Sequence, residues 1–194
     1  MEKKYRICGC ELNEKNITLQ ETIFHNANGY IGVRGTLEEE CPDEFDTMRG
    51  MYINGFYDMA PMKQAEKLCN LVEDKETMVN VADTQTIKVS FNGREFSMFD
   101  GTVSDFERVL DMEQGVTDRN LTWKTTEGCS IEFAIRRMTS FENRSLFTID
   151  YTFHSVDFEG EAEFASFQKG LVKNYCNPDD PRLADESPMH LISA

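Results

Sequence analysis

The dominant period of the apolar positions is two. Ile87, Val89 and Phe91 alternate with Lys88 and Ser90, and Phe96 and Met98 flank Ser97. Between the two runs stands Asn92-Gly93, a pair that accepts the positive φ of a tight hairpin turn. A two-residue loop pairs Phe91 with Arg94, Val89 with Phe96 and Ile87 with Met98, which lines the apolar residues along one face. A second hairpin follows. Leu121 and Trp123 alternate, Thr126-Glu127-Gly128 intervenes, and Ile131, Phe133 and Ile135 alternate again. A two-residue loop would set Trp123 against the polar Glu132. A three-residue loop with Gly128 left-handed sets Trp123 against Ile131 and Leu121 against Phe133, so that loop is expected.

Further strands are expected at Phe147, Ile149, Tyr151 and Phe153, after a turn at Glu142-Asn143-Arg144, and as short pieces around Leu110, Val116, Ala162, Phe164 and Phe167. Helix is scarce. The one segment with helical spacing is 62–72, where Ala65, Leu68, Cys69 and Val72 recur every three or four residues. Asn177-Pro178-Asp179-Asp180-Pro181 reads as a surface loop. His190 to Ala194 reads as the start of a strand, with the sheet still open at the C-terminal end. Many short strands between Gly, Asn and Asp predict an all-β antiparallel sandwich in a single domain.

Composition narrows the function. Lys and Arg total 20 against 35 Asp and Glu, a formal charge of −15. That field repels a phosphate backbone and anionic lipid, so neither nucleic acid nor a membrane surface is an expected partner. No apolar run reaches membrane-spanning length, and MEKKYRICGCEL carries no apolar signal core. A cytoplasmic location is therefore expected. The six cysteines, at 8, 10, 41, 69, 129 and 176, show no C-x-x-C pair and read as free, mostly buried small hydrophobes.

No motif announces catalysis. In ETIFHNANGYIGVRGTLEEE (21–40) the glycines Gly29, Gly32 and Gly35 are spaced G-x-x-G-x-x-G, which is neither a dinucleotide fingerprint nor a Walker loop. Asn28-Gly29 reads as a turn, with Gly32 and Gly35 permitting bending or close backbone packing. Glu38, Glu39 and Glu40 read as a solvated charge run on an exposed turn. His25, His154 and His190 have no ligand-like partners in spacing, so no metal is expected. Tyr30, Tyr52, Phe56, Tyr57 and Trp123 could stack on sugar, although core packing is the commoner use of such residues.

Several segments nevertheless occur together in a telling order: ETIFHNANGYIGVRGTLEE (21–39), GMYINGFYD (50–58), ETMVNVADTQTIKVSFNGREF (76–96), RVLDMEQGVTDRNLTW (108–123) and VKNYCNPDDPRLAD (172–185). The set resembles the N-terminal domain of family 65 glycoside hydrolases and phosphorylases, a family that includes maltose, kojibiose and trehalose phosphorylases. The resemblance implies a β super-sandwich with galactose mutarotase-like topology over residues 1–194. It implies a parent enzyme with a separate catalytic (α/α)6 barrel, absent from this chain, in which one glutamate acts as general acid. Phosphate is then the nucleophile and co-substrate of the parent, not bound by this chain, and no metal or organic cofactor is used. The implied partners are the barrel and a second copy in a homodimer. No catalytic residue is assigned here; Arg34, Tyr52, Asn54 and Tyr57 are the expected barrel-facing or sugar-proximal residues, with Arg34 alternatively salt-bridged within the sheet. Two other readings stand beside this one, a free-standing carbohydrate-binding module and a mutarotase-like aldose epimerase.

Overall fold

The computed structural model describes residues 5–61, 73–174 and 190–191. In chain order the elements are β1 (Arg6–Gly9), α1 (Ile17–Ile23), β2 (Asn26–Ala27), β3 (Ile31–Val33), β4 (Met51–Pro61), β5 (Asp74–Asn80), β6 (Ile87–Phe91) and β7 (Arg94–Glu95). There follow β8 (Thr102–Asp111), β9 (Val116–Lys124), β10 (Ser130–Thr139), β11 (Phe147–Ser155), β12 (Ala162–Ser166), β13 (Leu171–Val172) and β14 (His190–Leu191). Every strand pairing is antiparallel. A five-stranded sheet runs β1-β8-β9-β10-β11, and smaller sheets run β12-β6-β7, β2-β3-β4-β5 and β13-β14. The all-β sandwich is therefore present. The expected helix at 62–72, the loop at 177–181 and cysteines 69 and 176 lie outside the described residues.

The two hairpins decide the core. Phe91 pairs with Arg94 across the Asn92-Gly93 turn, where both residues have positive φ. The Phe96 amide donates to the Val89 carbonyl at 2.8 Å. The ladder ends there: the chain turns at Ser97–Asp100, so on that edge the Ile87 amide meets the Glu38 carbonyl and Met98 does not pair with it. The second hairpin has the expected register, with Trp123 opposite Ile131 and Leu121 opposite Phe133. Its three-residue loop closes on mutual Thr125 and Cys129 contacts, and Gly128 has φ 98°. Ile87, Val89, Phe91 and Phe96 then pack against Leu121, Trp123, Ile131 and Phe133. Phe96 stacks on Phe133 with ring centroids 4.1 Å apart.

The inner face of the five-stranded sheet changes character along its strands. On β9 the buried positions read Trp123, Leu121, Arg119 and Thr117; on β10 they read Ile131, Phe133, Ile135, Arg137 and Thr139. Alternation puts each set on one face. The apolar half is roofed by the β6–β7 side. The polar half is roofed by the segment from Arg34 to Glu39, tied to β6 by the Ile87 amide donating to the Glu38 carbonyl at 3.0 Å.

Helix α1 was not legible as a helix. Its buried positions are Ile17, Gln20 and Glu21, followed by Phe24, which have helical spacing but carry polar side chains in two of four places. Apolar periodicity cannot report a buried face that is satisfied by hydrogen bonds.

Candidate functional site

The stretch 21–40 supplies the most densely charged part of the interior. Asn28 caps the β2–β3 turn, its Oδ1 accepting the amides of Tyr30 and Ile31 at 3.0 and 2.9 Å, and Gly29 takes φ 83°. At Gly35 a Cβ would stand 2.5 Å from the Phe24 carbonyl oxygen, so the chain can pass α1 there only without a side chain. At Gly32 a Cβ would find ordinary room. Close packing is thus the role of Gly35 alone of these two.

Beyond Gly35 the glutamates turn inward, which corrects the expectation of a solvated run. Glu38 and Glu39 are buried, and only Glu40 is partly exposed. The reason is Arg119, itself 3 % exposed on β9. Its Nη1 donates to Glu39 Oε1 at 2.7 Å, and its Nη2 donates to Glu38 Oε2 at 2.7 Å and Glu39 Oε2 at 2.6 Å. Arg137 on β10 donates through Nη1 to the Thr36 carbonyl at 2.8 Å and through Nη2 to Gln85 Oε1, with Nε 3.5 Å from Glu38 Oε1. Arg108, from β8, donates to the Gly35 carbonyl and lies over the Phe24 ring at 4.8 Å. Adjacent glutamates can share one side because they sit in a turn and not a strand, closed by the Glu40 amide donating to the Leu37 carbonyl at 3.3 Å.

These contacts set the protonation states. Burial works against the charge on Glu38, but Arg119, Arg137 and Arg108 outweigh it and hold the carboxyl below the usual range. Burial likewise opposes Asp83, and the hydrogen bond from Arg49 at 2.7 Å overcomes it. Arg108 is pushed down to about 9, by burial first and then by Arg137 and Arg119. Glu21 goes the other way: burial raises it, against an amide bond from Met48 and the field of Arg34. A raised acid suits general-acid work, but Glu21 is 0 % exposed on the inner face of α1, where no substrate can reach it. For Glu38 and Asp83, the lowered folded-state values mean stability that is full above the ordinary carboxylate range and lost as pH falls through it. Glu21 has the opposite sign, its contribution waning as pH rises. With two groups against one, thermal unfolding is expected at a temperature several degrees lower near pH 3.5 than at pH 7. A flat or rising profile on acidification, followed by circular dichroism, would count against the charged pairing described.

The sequence-selected residues divide. Arg34 is turned onto α1. Its Nε donates to the Met48 carbonyl at 2.8 Å and its Nη2 to Thr22 Oγ1 at 3.1 Å, and its carboxylate neighbour, Glu21 at 3.7 Å, sits on the helix and not in the sheet. Tyr52 lines a cavity of about 530 Å³ with Arg49, Asp83, Lys169 and Asn174. The cavity's main polar groups serve one another: Arg49 holds Asp83, and Asn80 accepts the Met51 amide at 2.9 Å while donating to the Arg49 and Lys173 carbonyls. Asn54 and Tyr57 meet each other instead, the Tyr57 hydroxyl donating to Asn54 Oδ1 at 3.2 Å. Trp123 is fully buried and its Nε1 donates to the Asp100 carbonyl at 2.6 Å, so it offers no platform for sugar. Phe56 and Tyr57 remain exposed. Cys8 and Cys10 are exposed, not buried as expected, and the described cysteines are all free. Burial and the nearby Glu21 and Glu39 push the Cys41 thiol up to about 12, far from a nucleophile's range. Among the described residues no cluster of three His, Cys, Asp or Glu could hold a metal. No helix among them is long and apolar enough to cross a membrane. What Arg34, Glu38 and Glu39 do was missed because a sequence does not show which buried cation a carboxylate will meet.

Residues 8–192 match the family model described as glycosyl hydrolase family 65, N-terminal domain. The chain belongs to that family of domains. This family 65 domain is 37% identical over 181 residues to an α,α-trehalose phosphorylase of Geobacillus stearothermophilus, covering 92% of the chain and 24% of that protein. It is 26% identical over 172 residues to a kojibiose phosphorylase of Halothermothrix orenii, covering 89% and 20%. A solved structure titled putative kojibiose phosphorylase from human microbiome superposes with TM-score 0.72 at 23% identity, over 82% of this domain and 21% of that chain, and so shares its fold. The family 65 domain thus spans about a quarter or less of the length of the curated relatives it matches.

Proposed function

We propose that this chain is the non-catalytic N-terminal β domain of an α-glucoside phosphorylase or hydrolase. The parent enzyme cleaves an α-linked disaccharide by inverting phosphorolysis, with phosphate as co-substrate. The domain packs against the catalytic barrel, supports the mouth of its active site and contributes to a dimer. One observation carries this reading: the match to phosphorylases extends along nearly all of this chain but a quarter or less of theirs. The interior chemistry agrees with it. Glu38 and Glu39 are occupied by Arg119, and inverting phosphorolysis needs only one acid and an anion pocket, which the reading places in the barrel. The purified chain, incubated with phosphate and trehalose, kojibiose or maltose, is expected to release no glucose 1-phosphate. Turnover that follows the pure protein through successive columns would overturn the proposal.

A further inference from the structure

Strand β4 does not pair evenly with β5. Tyr52 lies opposite Asn80, yet Tyr57 lies opposite Met78, so five steps on one strand face two on the other. Gly55 has φ 96° inside this bulge, and the Asn54 amide donates to the Tyr30 carbonyl at 2.8 Å. Strand β3 accompanies β4 only from Met51 to Ile53. Past the bulge, Tyr57–Pro61 pairs with Asp74–Met78 as a ribbon of two strands, with no third strand beside it among the described residues. A two-stranded ribbon is marginal in water.

This ribbon gathers exposed apolar side chains on one face, while Asp58 and Thr77, opposite each other, lie on the second. Tyr57, Met59 and Met78 share one face, because Tyr57 is directly opposite Met78 and Met59 is two residues on. Phe56 precedes Tyr57 within the bulge. Phe56 and Met59 are 57% and 63% exposed. Aromatic and methionine side chains gathered like this mark interaction surfaces. The flanking charge is acidic: Asp58, Glu73, Asp74 and Glu76 against Lys75.

We propose that the distal β4–β5 ribbon is a docking element, and that its occupant is an apolar groove rimmed by basic side chains on the catalytic portion of the parent enzyme. This rests on the reading in the preceding section. A second copy is the poorer occupant on the ground of charge. Two such ribbons bring like charges together in a chain of net charge −15.

The test compares the isolated chain with a chimera in which it replaces the matched region of the Geobacillus trehalose phosphorylase. The isolated chain is expected to sediment as a monomer. In an active chimera the ribbon amides are expected to exchange with deuterium at least about tenfold more slowly than in the isolated chain. Met59→Glu is expected to abolish that protection, while Phe141→Glu, at another exposed site, leaves it intact. An active chimera with an unprotected ribbon overturns the docking proposal and spares the domain reading. So does an isolated chain that dimerises and is made monomeric by Met59→Glu. A folded but inactive chimera removes the domain reading, and the docking proposal falls with it. If the chimera is insoluble, grafting residues 51–80 alone into the relative gives the same comparison.

Discussion

Replacing Arg119 with methionine is expected to lower the free energy of unfolding by about 3–5 kcal/mol, read from urea denaturation. The reason is what remains. Glu38 and Glu39 are both buried and take charged hydrogen bonds from this guanidinium at 2.6–2.7 Å. Without it, two carboxylates stay out of water, with Arg137 at 3.5 Å from Glu38 and the more distant field of Arg108 as the compensation left. The cost is that of stranded charge, not of a missing contact. A triple variant, Arg119→Met with Glu38→Leu and Glu39→Leu, should therefore recover much of the loss, since exchanging a whole buried ionic group for packed apolar residues is often close to neutral. Arg108→Met should cost far less than Arg119→Met, because Arg108 is a third cation with few partners, and its Nε and Nη1 have no hydrogen-bond partner among the described residues. If Arg119→Met proves as mild as Arg108→Met, the ionic layer is not what anchors the 34–39 segment.

Trp123→Ala should cost a similar amount, about 3–5 kcal/mol, through a different mechanism. Trp123 is fully buried among Phe91, Phe96 and Ile131, with ring centroids 6.1 Å from Phe91 and 5.3 Å from Phe96. Truncation removes dispersion contacts on both layers of the sandwich and leaves the Asp100 carbonyl without its indole donor. Trp123→Phe, which keeps most of the volume, should lose considerably less. An exposed platform for sugar would give the opposite pattern, with stability hardly changed, and calorimetry of that variant would expose the difference.

The hairpins were legible because alternation, turn residues and register reinforce one another: Asn92-Gly93 and Gly128 each admit one loop length that keeps the apolar face continuous. The ordered segments likewise identified the family, over almost the whole chain. What stayed hidden was polar burial. Gln20 and Glu21 occupy the inner face of α1, and Glu38 and Glu39 occupy the roof of the sheet. A hydrophobicity pattern assigns all four to solvent. Their partners lie 80 or more residues away in the case of Arg119 and the glutamates, so no local signal links them. The one visible hint was arginine at inward-facing positions: Arg119 continues the alternation of Leu121 and Trp123, and Arg137 that of Phe133 and Ile135. Inward arginines demand carboxylates, and the densest supply was the run after Gly35.

Site-resolved carboxyl titration by carbon-detected NMR tests the structural role of these acids most directly. The Glu38 carboxyl is expected to titrate below the ordinary glutamate range, held there by Arg119, Arg137 and Arg108 against the cost of burial. A Glu38 carboxyl that instead titrates near about 6, where a general acid is poised, would contradict the assignment of this domain as scaffold.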